Sequence, residues 1–247
     1  MTTTETSVLV HLAGPDDPGL ELVVFPGAGA GPSSVAAWRP MLPEGWRLSA
    51  ICLPGRGIRF GEPLETDVRV LVDEAAAAIT RLCSAPVVLA GHSLGALWAH
   101  QVAFAVRPAL LATGGCEPPV FGEPLVMPTF TEEEDRQFMR ELLEALGVTD
   151  EDTLAELTDI SVPIMRADID LVRGWVVPER TLECPVVSYY GTDEDTRPLP
   201  WSGHTAGPAD VVTVPGDHYF FQSSASVVLA DLSRRIDRSD RSGHAGE

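Results

Sequence analysis

The sequence predicts an α/β fold: a mostly parallel sheet with helices on both faces. Two observations carry that expectation. Short extended runs ending in Gly or Pro alternate with runs of helical periodicity, and Gly91-His92-Ser93-Leu94-Gly95 stands where one such run, "APVVLAG", gives way to an Ala-rich helical one. With 247 residues, 45% of them hydrophobic, the chain can bury one sizeable core, so residues 1-247 are read as a single domain.

The elements follow in order. "SVLVHLAG" (7–14), "LELVVFPGAGAG" (20–31) and "WRLSAICLPGRG" (46–57) read as three short strands. Residues 67–83 place apolar side chains at helical spacing, and "APVVLAG" returns to strand character. A helix is expected after Ser93 and another short run in "ALLATGGCEPP" (109–119). Residues 128–175 then read as helices. The first has a Thr131-x-x-Glu134 capping box, apolar Phe138, Leu142, Leu143 and Leu146, and Gly147 at its end. The second is interrupted near Pro163. "CPVVSYYGTDED" and "ADVVTVPGDH" resume the strands, and "SSASVVLADLSRRIDR" closes the fold as a helix. The helical block, about 120-180, is thus an insertion between two halves of one sheet. The polar stretch 239-247 is expected to be disordered.

Composition narrows the function. A formal charge of −19 and a pI near 4.5, without clustered Lys or Arg, exclude a nucleic-acid partner. No run reaches the roughly 18 to 20 apolar residues of a membrane span and no signal peptide opens the chain, so a cytoplasmic protein without membrane attachment is expected. Four scattered cysteines form no C-x-x-C pair, read as reduced thiols, and leave no metal site.

The chemistry centres on Gly91-x-Ser93-x-Gly95. A serine on a sharp strand-to-helix turn is an exposed nucleophile at a helix N-terminus, and glycines on either side let the strand and helix approach. The bland alternative is a helix-capping serine. A nucleophile of this type needs an acid and then a histidine later in the chain. Of six histidines, His218 follows a strand directly and precedes the last helix, which makes it the candidate base. "YYGTDEDTRPL" offers Asp193, Glu194 and Asp195, of which Asp195 is preferred and Asp193 is the alternative. Oxyanion donors are expected from the N–H of Leu94 and from the "FPGAGAG" loop, at Gly27 or Ala28. That loop is not a dinucleotide fingerprint, because Pro32 stands where the third Gly or Ala belongs.

"LVVFPGAGAGPSSVAAW", "LPGRGIRFGEPL", "VVLAGHSLGALWAH", "PIMRADIDLVRGW" and "VPGDHYFF" occur in an order and spacing that resembles the stand-alone type II thioesterases of polyketide synthases and nonribosomal peptide synthetases. The resemblance covers residues 18–235. It implies an α/β-hydrolase fold and an editing hydrolase that clears acyl groups from the phosphopantetheine arm of acyl carrier or peptidyl carrier domains, with no cofactor of its own and acting as a monomer. Carried onto this chain, it makes Ser93 the nucleophile, His218 the base, Asp195 the orienter, and Leu94 and Ala28 the oxyanion donors. Asp195 stands one residue farther from Gly191 than the family's usual G-x-x-D. The inserted helices become a lid over an acyl chamber in which Phe130, Phe138, Leu142 and Leu146 bind substrate, though each also fits ordinary helix core. Arg56 and Arg59 become candidates for contact with an acidic carrier domain. Small-ester hydrolysis, product release with cyclisation, and carrier binding without catalysis are the competing readings.

Overall fold

The computed structural model describes residues 8–243, with side chains as far as residue 238. Seven strands form one sheet: β1 (Leu9–Ala13), β2 (Leu20–Phe25), β3 (Trp46–Ile51), β4 (Val87–His92), β5 (Leu110–Gly114), β6 (Val186–Gly191) and β7 (Ala209–Val214). Their order is β1-β3-β2-β4-β5-β6-β7, and every pairing is parallel except that of β1 with β3. The expected mostly parallel sheet is therefore present, with its single antiparallel strand at the edge.

Central strands read as near-continuous apolar runs because helices cover both faces. Side chains nevertheless alternate between two cores. Val23, Phe25 and Leu89 face one side, where α1 (Val68–Leu82) and α2 (Leu94–Val106) pack, while Leu22, Val24 and Val88 face the other with Trp38, Phe220 and Phe221. Asp67 caps α1, its carboxylate accepting from the Arg69 N–H. The short α5 (Phe220–Ser223) leads into α6 (Ala225–Gly243), which carries the backbone helix into the stretch expected to be a disordered tail. The rest of that tail, 244–247, lies outside the described residues.

Between β5 and β6 lies the insertion. Its helices, α3 (Glu132–Ala145) and α4 (Glu151–Val172), occupy a narrower span than the expected 120-180. The flanking stretches run side by side instead, with Leu125 N–H donating to Trp175 O at 2.9 Å and Gly174 N–H to Leu125 O at 2.9 Å. The Thr131–Glu134 capping box is formed. α4 continues through Pro163, contrary to the expected interruption. Pro163 lies on the exposed face, so the Asp159 carbonyl that loses its amide partner is open to water, which moderates the cost of the break. α3 and α4 share a small core of their own, built on Met139, Leu142, Leu143, Leu154, Val162 and Met165.

Register positions the site. Phe25 pairs with Gly91, His92 with Gly114, and Gly191 with Val214, so β2, β4, β5, β6 and β7 finish along one edge of the sheet. Loops leaving the carboxyl ends of parallel strands are where such folds place their chemistry.

Candidate active site

Ser93 sits between β4 and α2 with φ 53 and ψ −126, in a region that strains any residue other than glycine. Its neighbours explain how the turn forms. A methyl group on Gly91 would lie 2.3 Å from Gly95 O, and one on Gly95 only 2.1 Å from Phe25 O, so these backbones touch where side chains are missing. The turn is pinned by Ser93 N–H donating to Gly114 O at 2.7 Å. Ser93 makes no side-chain cap on α2, which removes the bland reading of this serine.

His218 lies in the loop between β7 and α5. Its Nδ1 is 2.5 Å from Glu194 Oε1, and the Glu194 side chain is 2% exposed. This corrects the expectation for the acid: the carboxylate on the histidine belongs to Glu194, and neither Asp195 nor Asp193 reaches it. After β6 the chain turns, with Glu194 N–H directed at Gly191 O, so the third residue beyond Gly191 points inward while Asp193 and Asp195 stay exposed at the cavity mouth. Gly191 N–H donates to Glu194 Oε2 at 3.1 Å and Thr196 Oγ1 to Oε1 at 3.1 Å, which holds the carboxylate in place. Gly115, at φ 58, leaves the room; a methyl there would come 2.9 Å from Glu194 Oε1 and 3.1 Å from His218 Cε1. With Nδ1 as the donor to Glu194, Nε2 is the nitrogen left to act as base.

Ser93, His218, Ala28 and Leu94 line one cavity of about 710 Å³. Leu94 N–H heads α2 and so has no acceptor within its helix. Gly27 faces the serine: a methyl on it would lie 3.4 Å from Ser93 Cβ, so its missing side chain lets the loop approach. Of the expected acyl-binding residues, Phe130 and Phe138 line the cavity. Leu142 is not among them: it lines a narrow cleft of about 20 Å³ beside Ser93 and His218 and, on its other side, a separate groove. Leu146 is placed elsewhere, packed against the core of the lid and facing that groove, because it lies at the C-terminal cap of α3, about two turns beyond Phe138. Met127, Met165 and Ile169 line the cavity as well and were missed; their only signal was an apolar side chain within the insertion.

His92 was also missed as a support. Its Nε2 lies 2.7 Å from the His218 carbonyl and its ring centroid 4.9 Å from that of His218, so the elbow holds the histidine loop directly. Burial, with the neighbouring His218 charge, pushes His92 down to about 3, so it stays neutral and Nε2–H donates to the carbonyl. Arg56 and Arg59 are not free for a partner. Both are buried, Arg56 against Asp168 and Arg59 against Glu62 and Glu74. Among the described residues no cluster of three or more His, Cys, Asp or Glu side chains is arranged to hold a metal ion, and no helix is long and apolar enough to cross a membrane.

Known proteins share this architecture. Residues 20–236 match the family model described as thioesterase domain. The gramicidin S biosynthesis protein GrsT of Aneurinibacillus migulanus is 29% identical over 230 residues, which cover 88% of this chain and 89% of that protein. The medium-chain S-acyl fatty acid synthase thioesterase of Homo sapiens is 28% identical over 221 residues, covering 85% and 83%. Among solved structures, the RedJ thioesterase from the prodiginine pathway of Streptomyces coelicolor has a TM-score of 0.73 at 28% identity, covering 89% of this chain and 87% of that one. The type II thioesterase BorB from the borrelidin cluster has a TM-score of 0.77 at 22% identity, covering 92% and 96%, and at that identity speaks to the fold alone.

Proposed function

The chain belongs to the thioesterase domain family, and from that membership we propose that it is a stand-alone editing thioesterase acting on acyl groups carried by the phosphopantetheine arm of acyl or peptidyl carrier domains. The observation that carries the reading is an uncapped, strained Ser93 sharing one cavity with a histidine that is oriented by a buried carboxylate. Relatives named for gramicidin S and prodiginine biosynthesis support the choice of substrate.

Hydrolysis runs in two steps. His218 Nε2 takes the Ser93 proton as Oγ attacks the thioester carbonyl, and the N–H groups of Leu94 and Ala28 receive the oxyanion. The tetrahedral intermediate collapses, the carrier thiolate leaves, and the imidazolium returns its proton to the sulfur. Water then attacks the acyl-serine ester with His218 again as base, releasing the carboxylic acid and regenerating Ser93. Glu194 holds the tautomer with Nδ1 protonated and stabilises the imidazolium. The protein brings no cofactor to these steps; the pantetheine arm belongs to the substrate. It works as a monomer in the cytoplasm.

A cavity of about 710 Å³ lies within the range of small-molecule sites and leaves room for an acyl chain. The test is intact-protein mass spectrometry of an acetyl- or propionyl-loaded carrier protein incubated with wild-type protein and with Ser93→Ala. Loss of the acyl mass with wild type alone is expected. Persistence of the acyl mass with both proteins, alongside rapid turnover of p-nitrophenyl esters, would move the assignment to an oxygen-ester hydrolase.

A further inference from the structure

Two charged side chains buried under the lid take no part in those steps. Arg56 and Asp168 are 6% and 4% exposed and stand 112 residues apart in the chain. Their side chains meet as a fork, Nη1 to Oδ2 at 2.5 Å and Nη2 to Oδ1 at 2.7 Å. Asp168 Oδ2 also accepts the backbone N–H of Gly29 at 2.8 Å. Arg56 donates further to the carbonyls of Ala30 and Pro54, each at 3.3 Å. A single ion pair therefore joins lid helix α4, the loop after β3 and the loop after β2.

The loop after β2 is the one that presents Ala28. Ala30 N–H donates to Gly27 O at 3.1 Å, closing a four-residue turn, and Gly29 within it has φ +73. A methyl on Gly29 would come 2.5 Å from Met139 Cε and 2.8 Å from Met165 Cβ, so both lid helices press on the turn. Turns of this kind have an alternative form in which the middle peptide, here between Ala28 and Gly29, is rotated and its N–H reversed. Asp168 takes the N–H of that middle peptide. A carboxylate acceptor makes this bond roughly twice as strong as a neutral one, and Arg56 prevents the carboxylate from being buried unpaired.

We propose that Asp168 is a positioning residue for acyl transfer: held by Arg56, it fixes the 27–30 turn so that Ala28 N–H meets the developing oxyanion. The lid helix and the oxyanion hole then form one mechanical unit, and lifting α4 from its Asp168 end would disassemble the hole. The inference rests on the Ser93 reading above.

The test measures kcat and KM on a short acyl N-acetylcysteamine thioester, together with inhibition by an alkyl trifluoromethyl ketone, whose serine adduct places an oxyanion in the same hole. Asp168→Ala should lower kcat about 10- to 100-fold, less than the loss of a whole oxyanion donor, and should weaken the ketone by a similar factor, with KM within about twofold. Asp168→Asn, whose amide oxygen still accepts from Gly29, should retain more of the rate. Because a lone buried Arg56 would destabilise the fold, the double variant Arg56→Met/Asp168→Leu is the decisive one. It should regain thermal stability without regaining kcat. Recovery of both would reduce the pair to a structural role and overturn the proposal, as would a change in KM alone. Wild-type turnover that survived Ser93→Ala would instead remove the serine reading itself, an outcome separate from the behaviour of Asp168.

Discussion

The sheet edge and the lid are held together by different means. At the sheet edge, Gly91, Gly95, Gly115 and Gly191 stand where any side chain would collide with neighbouring backbone or with the Glu194–His218 pair, and each catalytic side chain is fixed by backbone hydrogen bonds or by close backbone approach. The lid is locked to that edge by the buried Arg56–Asp168 pair and is held more loosely elsewhere. Its helices share a small apolar core and exposed ion pairs such as Arg136–Asp159 and Arg140–Glu151, the kind of pair that contributes little. One region is specified by contacts that tolerate no change, the other, Asp168 apart, by contacts that admit many substitutes. Chemistry should therefore be lost abruptly at the first and adjusted gradually at the second.

The largest effect should come from Ser93→Ala, which is expected to lower kcat about 10⁴-fold or more, read as release of free acid from an acyl carrier protein. Next comes Gly95→Ala. Its methyl would meet Phe25 O at 2.1 Å, so the elbow must open, and urea unfolding should report a loss of about 3 kcal/mol. In the lid, Phe138→Ala should change the ranking of acyl chain lengths by several-fold while Ser93-dependent turnover persists, measured as kcat/KM across a series from acetyl to octanoyl thioesters. An equal collapse for every chain length would place Phe138 in the chemistry and blur the distinction drawn here.

Acid sharpens the contrast further, since residues 120–180 contain no histidine while the core of the sheet contains several. Burial pushes His92 and His100 down to about 3 from an ordinary value of 6.5. Between those limits the unfolded chain binds protons that the folded chain refuses. Stability is therefore complete above about pH 6.5 and falls as pH drops towards 3, by at most about 1.4 kcal/mol per unit for each histidine. Urea midpoints at pH 7 and 5.5 should fall accordingly, and His100→Phe should flatten part of that slope.

Much of this was legible beforehand because local signals and tertiary demands agree. The alternation of strands and helices, the elbow around Ser93 and the capping box at Thr131 all report physics confined to a few consecutive residues. His218 was found because the elbow called for a base after a late strand. The acid was misread for a local reason: three carboxylates follow one another, and which of them faces inward depends on the turn from Gly191. The spacing of G-x-x-D did point at Glu194, and a preference for Asp over Glu concealed it. The partnership of Arg56 with Asp168 was beyond reach, since both segments stood out but 112 residues separate them and neither pattern encodes contact. Pro163 misled because its effect depends on whether the orphaned carbonyl meets water, which is a property of packing.

The most direct test of the account compares two conservative variants of adjacent residues, Glu194→Gln and Asp195→Asn, by kcat/KM on one acyl carrier substrate. Glu194→Gln should lose about 10³-fold, because the amide no longer stabilises the imidazolium, while Asp195→Asn should stay within about threefold of wild type. The reverse order would contradict the assignment of Glu194 and, with it, the view that the sheet edge assembles the Ser93–His218–Glu194 triad.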